Sequence, residues 1–307
     1  MKAVSFSSEV KEELVHQLPS GRHCQIAELS ALILNSNCRL FPWFYMKTEN
    51  FRVAKKTAKL IYRCFGGHCQ IRVRTYMNHK TATTYELILA DEAETKRMLQ
   101  ACKVTAERKV NHLIIQKSCC KRAFLRGVFL TSGSVNNPAK SYHFEIACED
   151  NAMALEVQEI MRTFELDAKI VERKKYHVVY LKEGAMIADA LNVMEAHRAL
   201  LNMENVRIWK DVRNQTNRKV NCDIANINKT LSAAQKQIED IRYIEERKGF
   251  GSLSPGLRQV AELRLQEPEI SLKELGELLD PPVSKSGVNH RLRKLGEIAE
   301  NLRNYTG

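Results

Sequence analysis

Residues 271–303 read SLKELGELLDPPVSKSGVNHRLRKLGEIAENLR. Ser271 is a natural helix N-cap, and Glu274, three residues on, completes a capping box. Leu272, Leu275 and Leu279 then fall on one face at helical spacing. Asp280-Pro281-Pro282 ends that helix, because proline has no N–H and its ring clashes with the preceding turn. Ser284 can cap a second helix, whose inner face carries Val288, Leu292, Leu295 and Leu302. Its outer face carries Lys285, Ser286, Asn289, His290, Arg293 and Lys294. A short helix, a tight turn and a second helix with a polar, basic face form a helix-turn-helix, the geometry of a DNA reader. The alternative is a helical hairpin with a solvated face. Two features weigh against it. Basic residues sit early in the second helix, where acids would suit its dipole better. The face also mixes Asn, Ser, His and Arg, which read base edges, instead of alternating Lys with Glu. With Arg291, these six residues are the candidate DNA contacts.

The chain has 307 residues, enough for two domains, with 44% hydrophobic and 27% charged residues, as in folded globular proteins. Its net charge of +12 favours a polyanionic partner. Residues from Leu201 onward hold only +3 of that charge, leaving +9 in residues 1–200. The part outside the helix-turn-helix is therefore a candidate for phosphate contacts as well. No run approaches the length of a membrane span, and the N-terminus lacks the apolar core of a secretory signal, so a cytoplasmic location is expected.

Nine cysteines are scattered without a CxxC pair. They are expected to be thiols in a reducing compartment. Cys64 and Cys69, with His79 beyond, make a weak zinc pattern, and no metal is expected there. Adjacent Cys119 and Cys120 are expected on a helix, one of them facing the core. No phosphate cradle of the GxxxxGK[ST] type occurs, so no nucleotide cofactor is expected.

The first two hundred residues repeat. Helix 24–35 leads into an extended stretch 38–49 with a bend at Pro42. A helix 50–64 capped by Asn50, strands 69–77 and 84–90, and a helix 91–102 follow. The order recurs as helix 120–131, paired strands 134–135 and 141–148, helix 150–164, strands 168–173 and 177–182, and a helix through Met194. Leu29 and Leu125 are equivalent, as are Glu49 and Glu145, both pairs 96 apart. Two α-β-β-α-β-β-α halves, about 20–104 and 119–200, imply a pseudo-twofold α+β domain over residues 1–200.

Residues 201–221 read as a basic connector, with Arg207, Lys210, Arg213, Arg218 and Lys219 interleaved with Asn214, Gln215, Thr216 and Asn217. They suit either a phosphate-touching loop or a solvated linker. A helical domain, residues 222–307, would follow. Its long helix 222–248 carries Ile224, Ile227, Leu231, Ala234, Ile238 and Ile241 in a short heptad seam, expected to pack on the helix-turn-helix rather than form a coiled coil. Ser254-Pro255 starts a supporting helix. Candidate phosphate contacts in residues 1–200 are Arg52, Lys55, Lys56, Arg72, Arg74, Arg173, Lys174 and Lys175.

The stretch LRGVFLTSGSV at 125–135 resembles the LAGLIDADG motif of homing endonucleases, and LSALILNSN at 29–37 resembles a degenerate first copy. The resemblance implies two motif helices packed through small residues, here Ala31 and Gly127, beneath a saddle of strands over DNA. In that family each motif helix ends in an acid that holds a catalytic divalent metal. This chain has Ser36 and Ser132 there. A hydroxyl cannot replace a carboxylate as an Mg²⁺ ligand, so the fold can persist without the chemistry. The FSSEVKEEL start, the degenerate motif pair, NVRIWKDVRNQTNRKVNCDIANINKT and the PPVSKSGVNHRLRKL tail together resemble the bacterial WhiA family along essentially the whole chain. That resemblance implies a double-stranded-DNA-binding regulator, nucleoid-associated and without catalysis, acting in cell division, chromosome segregation or sporulation. A monomer is expected. The alternatives are a scaffold for division or transcription proteins and, less favoured, a residual metal-dependent endonuclease.

Overall fold

The computed structural model describes residues 5–78 and 80–304, with backbone alone for 76–78 and 80–82. The chain divides into two units, 1–211 and 212–307.

The first unit opens with a helix absent from the sequence expectations, α1 (Phe6–His16). Ser5 caps it by accepting from the Ser8 N–H, and Phe6, Val10, Leu14 and Val15 are buried beneath it. Two halves of identical order follow. The first runs α2 (Arg22–Leu34), β1 (Asn37–Arg39), β2 (Phe44–Thr48), α3 (Phe51–Phe65), β3 (Gln70–Asn78), β4 (Lys80–Leu89) and α4 (Glu92–Ala101). The second runs α5 (Ser118–Ser132), β5 (Gly133–Val135), β6 (Phe144–Cys148), α6 (Asn151–Arg162), β7 (Lys169–Arg173), β8 (Tyr176–Leu181) and α7 (Gly184–Val193). The sheets are antiparallel with matching strand orders, β1-β2-β4-β3 and β5-β6-β8-β7. The extended stretch 38–49 is a hairpin rather than one strand, because the turn at Pro42 reverses it.

The motif helices α2 and α5 lie side by side, and the small residues explain how. A Cβ on Gly127 would stand 2.6 Å from the Glu28 carbonyl oxygen and 2.8 Å from the Ala31 Cβ, so only glycine admits this approach. One core, including Leu29, Leu32, Phe124 and Val128, runs through both halves. In each sheet alternate residues face that core. Phe44, Met46, Leu87 and Leu89 are buried in the first sheet; Phe144, Ile146, Val179 and Leu181 are buried in the second. The intervening residues form the opposite face, which carries Lys47, Arg72 and Arg74 in the first sheet and Glu145, Lys169 and Arg173 in the second, beside apolar Ile88 and Val171.

The connector is helical rather than a loop, and the division between the two units falls within it. Residues 197–248 form one 52-residue helix, α8 (His197–Lys248), which passes through 201–221 without a break. The seam reading is corrected in part. Ile241 and Ile244 are fully buried in the second unit, but Ile224, Ile227 and Leu231 are each at least half exposed and lie outside its core. The rest of the second unit is α9 (Pro255–Gln266), α10 (Leu272–Glu277) and α11 (Lys285–Asn304). Ser254 occupies the N-cap position of α9, though its hydroxyl caps no N–H. Val260, Ala261, Leu275, Val288, Leu292 and Leu295 form the core of this unit with the end of α8.

Candidate nucleic-acid interface

The second unit builds its exposed face from ordinary helix chemistry. The capping box forms as the sequence requires: Ser271 Oγ accepts from the Glu274 N–H at 3.3 Å, and Glu274 Oε2 accepts from the Ser271 N–H at 2.8 Å. The turn after α10 is tight. The Val283 N–H donates to the Gly276 carbonyl at 2.9 Å, and a side chain on Gly276 would strike the Val283 carbonyl. Ser284 then caps α11 by accepting from the Gly287 N–H at 3.3 Å. At its far end Arg303 reaches the buried Asp240 of α8 at 2.8 Å.

These anchors leave Lys285, Ser286, Asn289, His290, Arg293 and Lys294 exposed on the first three turns of α11. Arg293 has 71% of its side chain exposed and a weak contact with Glu297 at 3.4 Å. A surface pair of this kind contributes little and can exchange for a base or phosphate. Arg291 is a correction. It turns away from this face, donating from Nη1 to the Gly256 carbonyl at 3.3 Å, and so fastens α11 to α9.

In the first unit, strand register sorts the proposed phosphate contacts. Arg72 and Arg74 lie on the outer face of β3, opposite Glu86 and Thr84. Arg74 Nε pairs with Glu86 at 2.8 Å. Lys47 stands opposite Glu86 on its other side, and Arg39 stacks over the Trp43 ring at 5.4 Å. Lys169 and Arg173 hold equivalent outer positions on β7. Arg39, Lys47 and Lys169 went unnamed in the sequence reading, although strand alternation applied to the outward positions would have found them. Lys174 and Lys175 are exposed in the turn after β7, and Lys55 is exposed on α3. Like Arg74, two more of the proposed arginines are already engaged by acids: Arg52 pairs with Glu12, and Arg173 pairs with Glu145 at 3.0 Å. On α8, Arg213, Arg218 and Lys219 are exposed, Arg207 pairs with Glu204 at 2.7 Å, and Lys210 lies 4.5 Å over the Tyr142 ring.

Lys56 is the clearest correction. It is 3% exposed, in ion-pair contact with Glu28, and donates to the Leu14 carbonyl at 2.7 Å. Burial lowers its pKa to about 8, against the opposing pull of Glu28. On the other side Arg126 Nε binds Glu28 at 3.1 Å, while its Nη1 reaches Glu195 at 2.7 Å. Lys56 thus ties α3 and α1 to the motif helices and is inaccessible to phosphate.

A groove of about 1240 Å³ opens where α2 and α5 end. Ser36 sits in its wall beside Asn35, and Asn35 Nδ2 donates to Ser132 Oγ at 2.6 Å. The two motif helices therefore end in a neutral amide–hydroxyl pair. Its charged lining is mixed: Lys11, Lys47 and Arg52 face Glu9, Glu12 and Glu49. Glu28 is buried in the ion-pair network and Glu145 is held by Arg173 and His143, so neither reaches this position.

A separate cluster escaped the sequence reading. His23 and Cys24 at the start of α2 meet Cys119 and Cys120 at the start of α5. The Cys64–Cys69–His79 pattern is different: Cys64 is buried, Cys69 is partly exposed, and His79 lies outside the described residues.

Comparison with known proteins places this architecture. Residues 121–213 match the WhiA LAGLIDADG-like domain, and residues 216–299 match the WhiA C-terminal HTH domain. A relative from Lachnoclostridium phytofermentans, named "Probable cell division protein WhiA", is 46% identical across 98% of this chain and 100% of its own. A protein of the same name from Heliobacterium modesticaldum is 45% identical across 97% of this chain and 96% of its own. The crystal structure of full-length DUF199/WhiA from Thermatoga maritima shares the fold, with a TM-score of 0.61 at 24% identity, covering 98% of this chain and 99% of that one.

Proposed function

The chain belongs to the WhiA family, and we propose that it is a sequence-specific DNA-binding protein, without strand-cleaving chemistry, that regulates transcription or acts on the nucleoid. The observation that carries this reading is the exposed face of α11. Six polar and basic side chains stand free of their own core, on a helix held at both ends by Ser284 and by the Arg303–Asp240 pair. Asn289, His290 and Arg293 supply the donors and acceptors for base edges, while Lys285 and Lys294 supply phosphate contacts. Arg39, Lys47, Arg72 and Lys169 on the outer faces of the two sheets add affinity independent of sequence.

The neutral ends of α2 and α5 support the non-catalytic reading. Ser36 and Ser132 offer no carboxylate to a divalent metal, so the two-metal clamp on a phosphate lacks its ligands. The names of the relatives point to cell division, and a role in chromosome segregation or sporulation is the finer form of the same proposal. Such a protein works in the cytoplasm; no described helix is long and apolar enough to cross a membrane. Selection of duplexes from a random library by the full chain tests the reading. Enrichment of one motif, protected against cleavage over about one helical turn, is expected. No enrichment over the starting library would favour a scaffold for division or transcription proteins instead.

A further inference from the structure

The side chains of His23, Cys24, Cys119 and Cys120 converge at the end of the helix pair remote from the groove. His23 Nδ1 lies 3.2 Å from Cys24 Sγ, 3.2 Å from Cys120 Sγ and 4.0 Å from Cys119 Sγ. All four donor atoms fall within 4.8 Å of one another. A tetrahedral zinc site with Zn–S near 2.3 Å and Zn–N near 2.0 Å would separate its ligand atoms by roughly 3.5–3.8 Å. The observed spacings bracket that range.

The repeat explains how the cluster arises. The 96-residue offset that relates the two halves carries His23 onto Cys119 and Cys24 onto Cys120. Each half therefore contributes one adjacent pair, and the two pairs face each other across the pseudo-twofold axis. Opposed pairs about a twofold axis are the ligand arrangement of a tetrahedron. The helices favour the charge as well. All four residues sit in the first turn of α2 or α5, and neither helix has a side-chain cap on its N-terminal N–H groups. Three thiolates and one imidazole around Zn²⁺ carry a net charge of −1, which the positive ends of two helix dipoles stabilise. Cys24 and Cys120 are buried, whereas His23 and Cys119 are exposed and give the ion an entry path.

We propose that this cluster binds one zinc ion as a closed Cys3His structural site joining the starts of the two motif helices. The protein fills all four positions, so no position remains for a reactive water and the site is not catalytic. It lies about 15 Å along α2 from Leu34, the end beside the groove, at 1.5 Å per helical residue. Its role is to clamp the two halves at the end where no groove separates them.

The test uses the full-length protein, reduced and stripped with a chelator, then titrated anaerobically with Co²⁺ and Zn²⁺ alone. One equivalent of Co²⁺ should give thiolate-to-cobalt charge transfer and the visible bands of tetrahedral coordination, and Zn²⁺ should bleach both. Loss of an outer partner of a metal site costs about 10–100-fold in affinity, and loss of a ligand should cost at least that. The exposed variants Cys119→Ser and His23→Ala, checked by circular dichroism for an unchanged fold, should each weaken Co²⁺ binding to this degree. Zinc should also raise the melting temperature of the parent but not of Cys119→Ser. A folded, reduced protein that shows no tetrahedral cobalt spectrum overturns the proposal. So does a spectrum that survives unchanged in both exposed variants.

Discussion

Replacing Gly127 with alanine tests the contact on which the first unit depends. The added methyl would stand 2.6 Å from the Glu28 carbonyl oxygen and 2.8 Å from Ala31 Cβ, against an ordinary contact beginning at 3.4 Å. Neither neighbour can swing aside, since one is helix backbone and the other is a first side-chain carbon. The helices must therefore part by about 0.6–0.8 Å, a gap that forfeits roughly a quarter to a half of each dispersion contact across the seam. Overpacking of this kind costs about 1–3 kcal/mol. Exchanging glycine for alanine inside a helix returns about 1 kcal/mol of propensity. The strain outweighs the return because the separation also stretches the Arg126–Glu28 bond. A net loss of about 1–2 kcal/mol lowers the melting temperature by roughly 2–8 °C for a unit of this size. Trp43, in the turn between β1 and β2 of this unit, gives a fluorescence melt of the full chain that follows its unfolding. A melting temperature equal to or above that of the parent would refute the close approach of the two helices.

Three further outcomes are expected. Neutralising Arg39, Lys47 and Arg72 together should make the slope of log affinity against log salt shallower, by roughly 0.9 for each lost phosphate contact; an unchanged slope would remove the sheets from the DNA. Incubation of supercoiled plasmid with Mg²⁺ or Mn²⁺ should give no nicking, whereas cutting that vanishes in Glu9→Ala or Glu49→Ala would show that groove acids replace the lost ones. Lys56 sets a pH dependence: its folded pKa of about 8 lies below its ordinary 10.5, so the unfolded chain holds the proton longer and this group's contribution to stability rises as pH passes from about 8 to about 10.5. Relative to Lys56→Met, the parent should gain melting temperature between about pH 7.5 and pH 9.5; a flat or falling difference would show that Glu28 holds the lysine charged throughout.

Local signals were legible in the sequence, and long-range pairings were not. Ser271 with Glu274, Asn50 and Asp91 marked helix starts because a cap acts within three residues. The 96-residue spacing of Leu29 and Leu125 exposed the two halves and placed Ala31 opposite Gly127. Lys56 looked like any surface lysine because its partner Glu28 sits on another helix, which no charge count can bring to it. Residues 201–221 read as a connector because Asn214-Gln215-Thr216-Asn217 bury nothing and show no apolar period, yet a helix runs through 211–221 with every side chain exposed. Helix α1 was missed because Phe6, Val10 and Leu14 lie in a stretch otherwise dominated by charge and hydroxyls. The His23–Cys24–Cys119–Cys120 cluster carried one usable signal. The repeat offset, applied to His23-Cys24, lands on Cys119-Cys120.

The central claim is that α11 reads DNA sequence. Fluorescence anisotropy tests it with the selected duplex and a scrambled duplex of equal length, at one salt concentration, for the parent and for Arg293→Ala. A bidentate arginine–guanine contact is worth about 1–3 kcal/mol of discrimination, or roughly 5–150-fold in relative affinity. Arg293→Ala should lose that margin on the selected duplex while binding the scrambled one about as well as the parent. Equal loss on both duplexes, or none on either, would contradict the assignment of base reading to this helix.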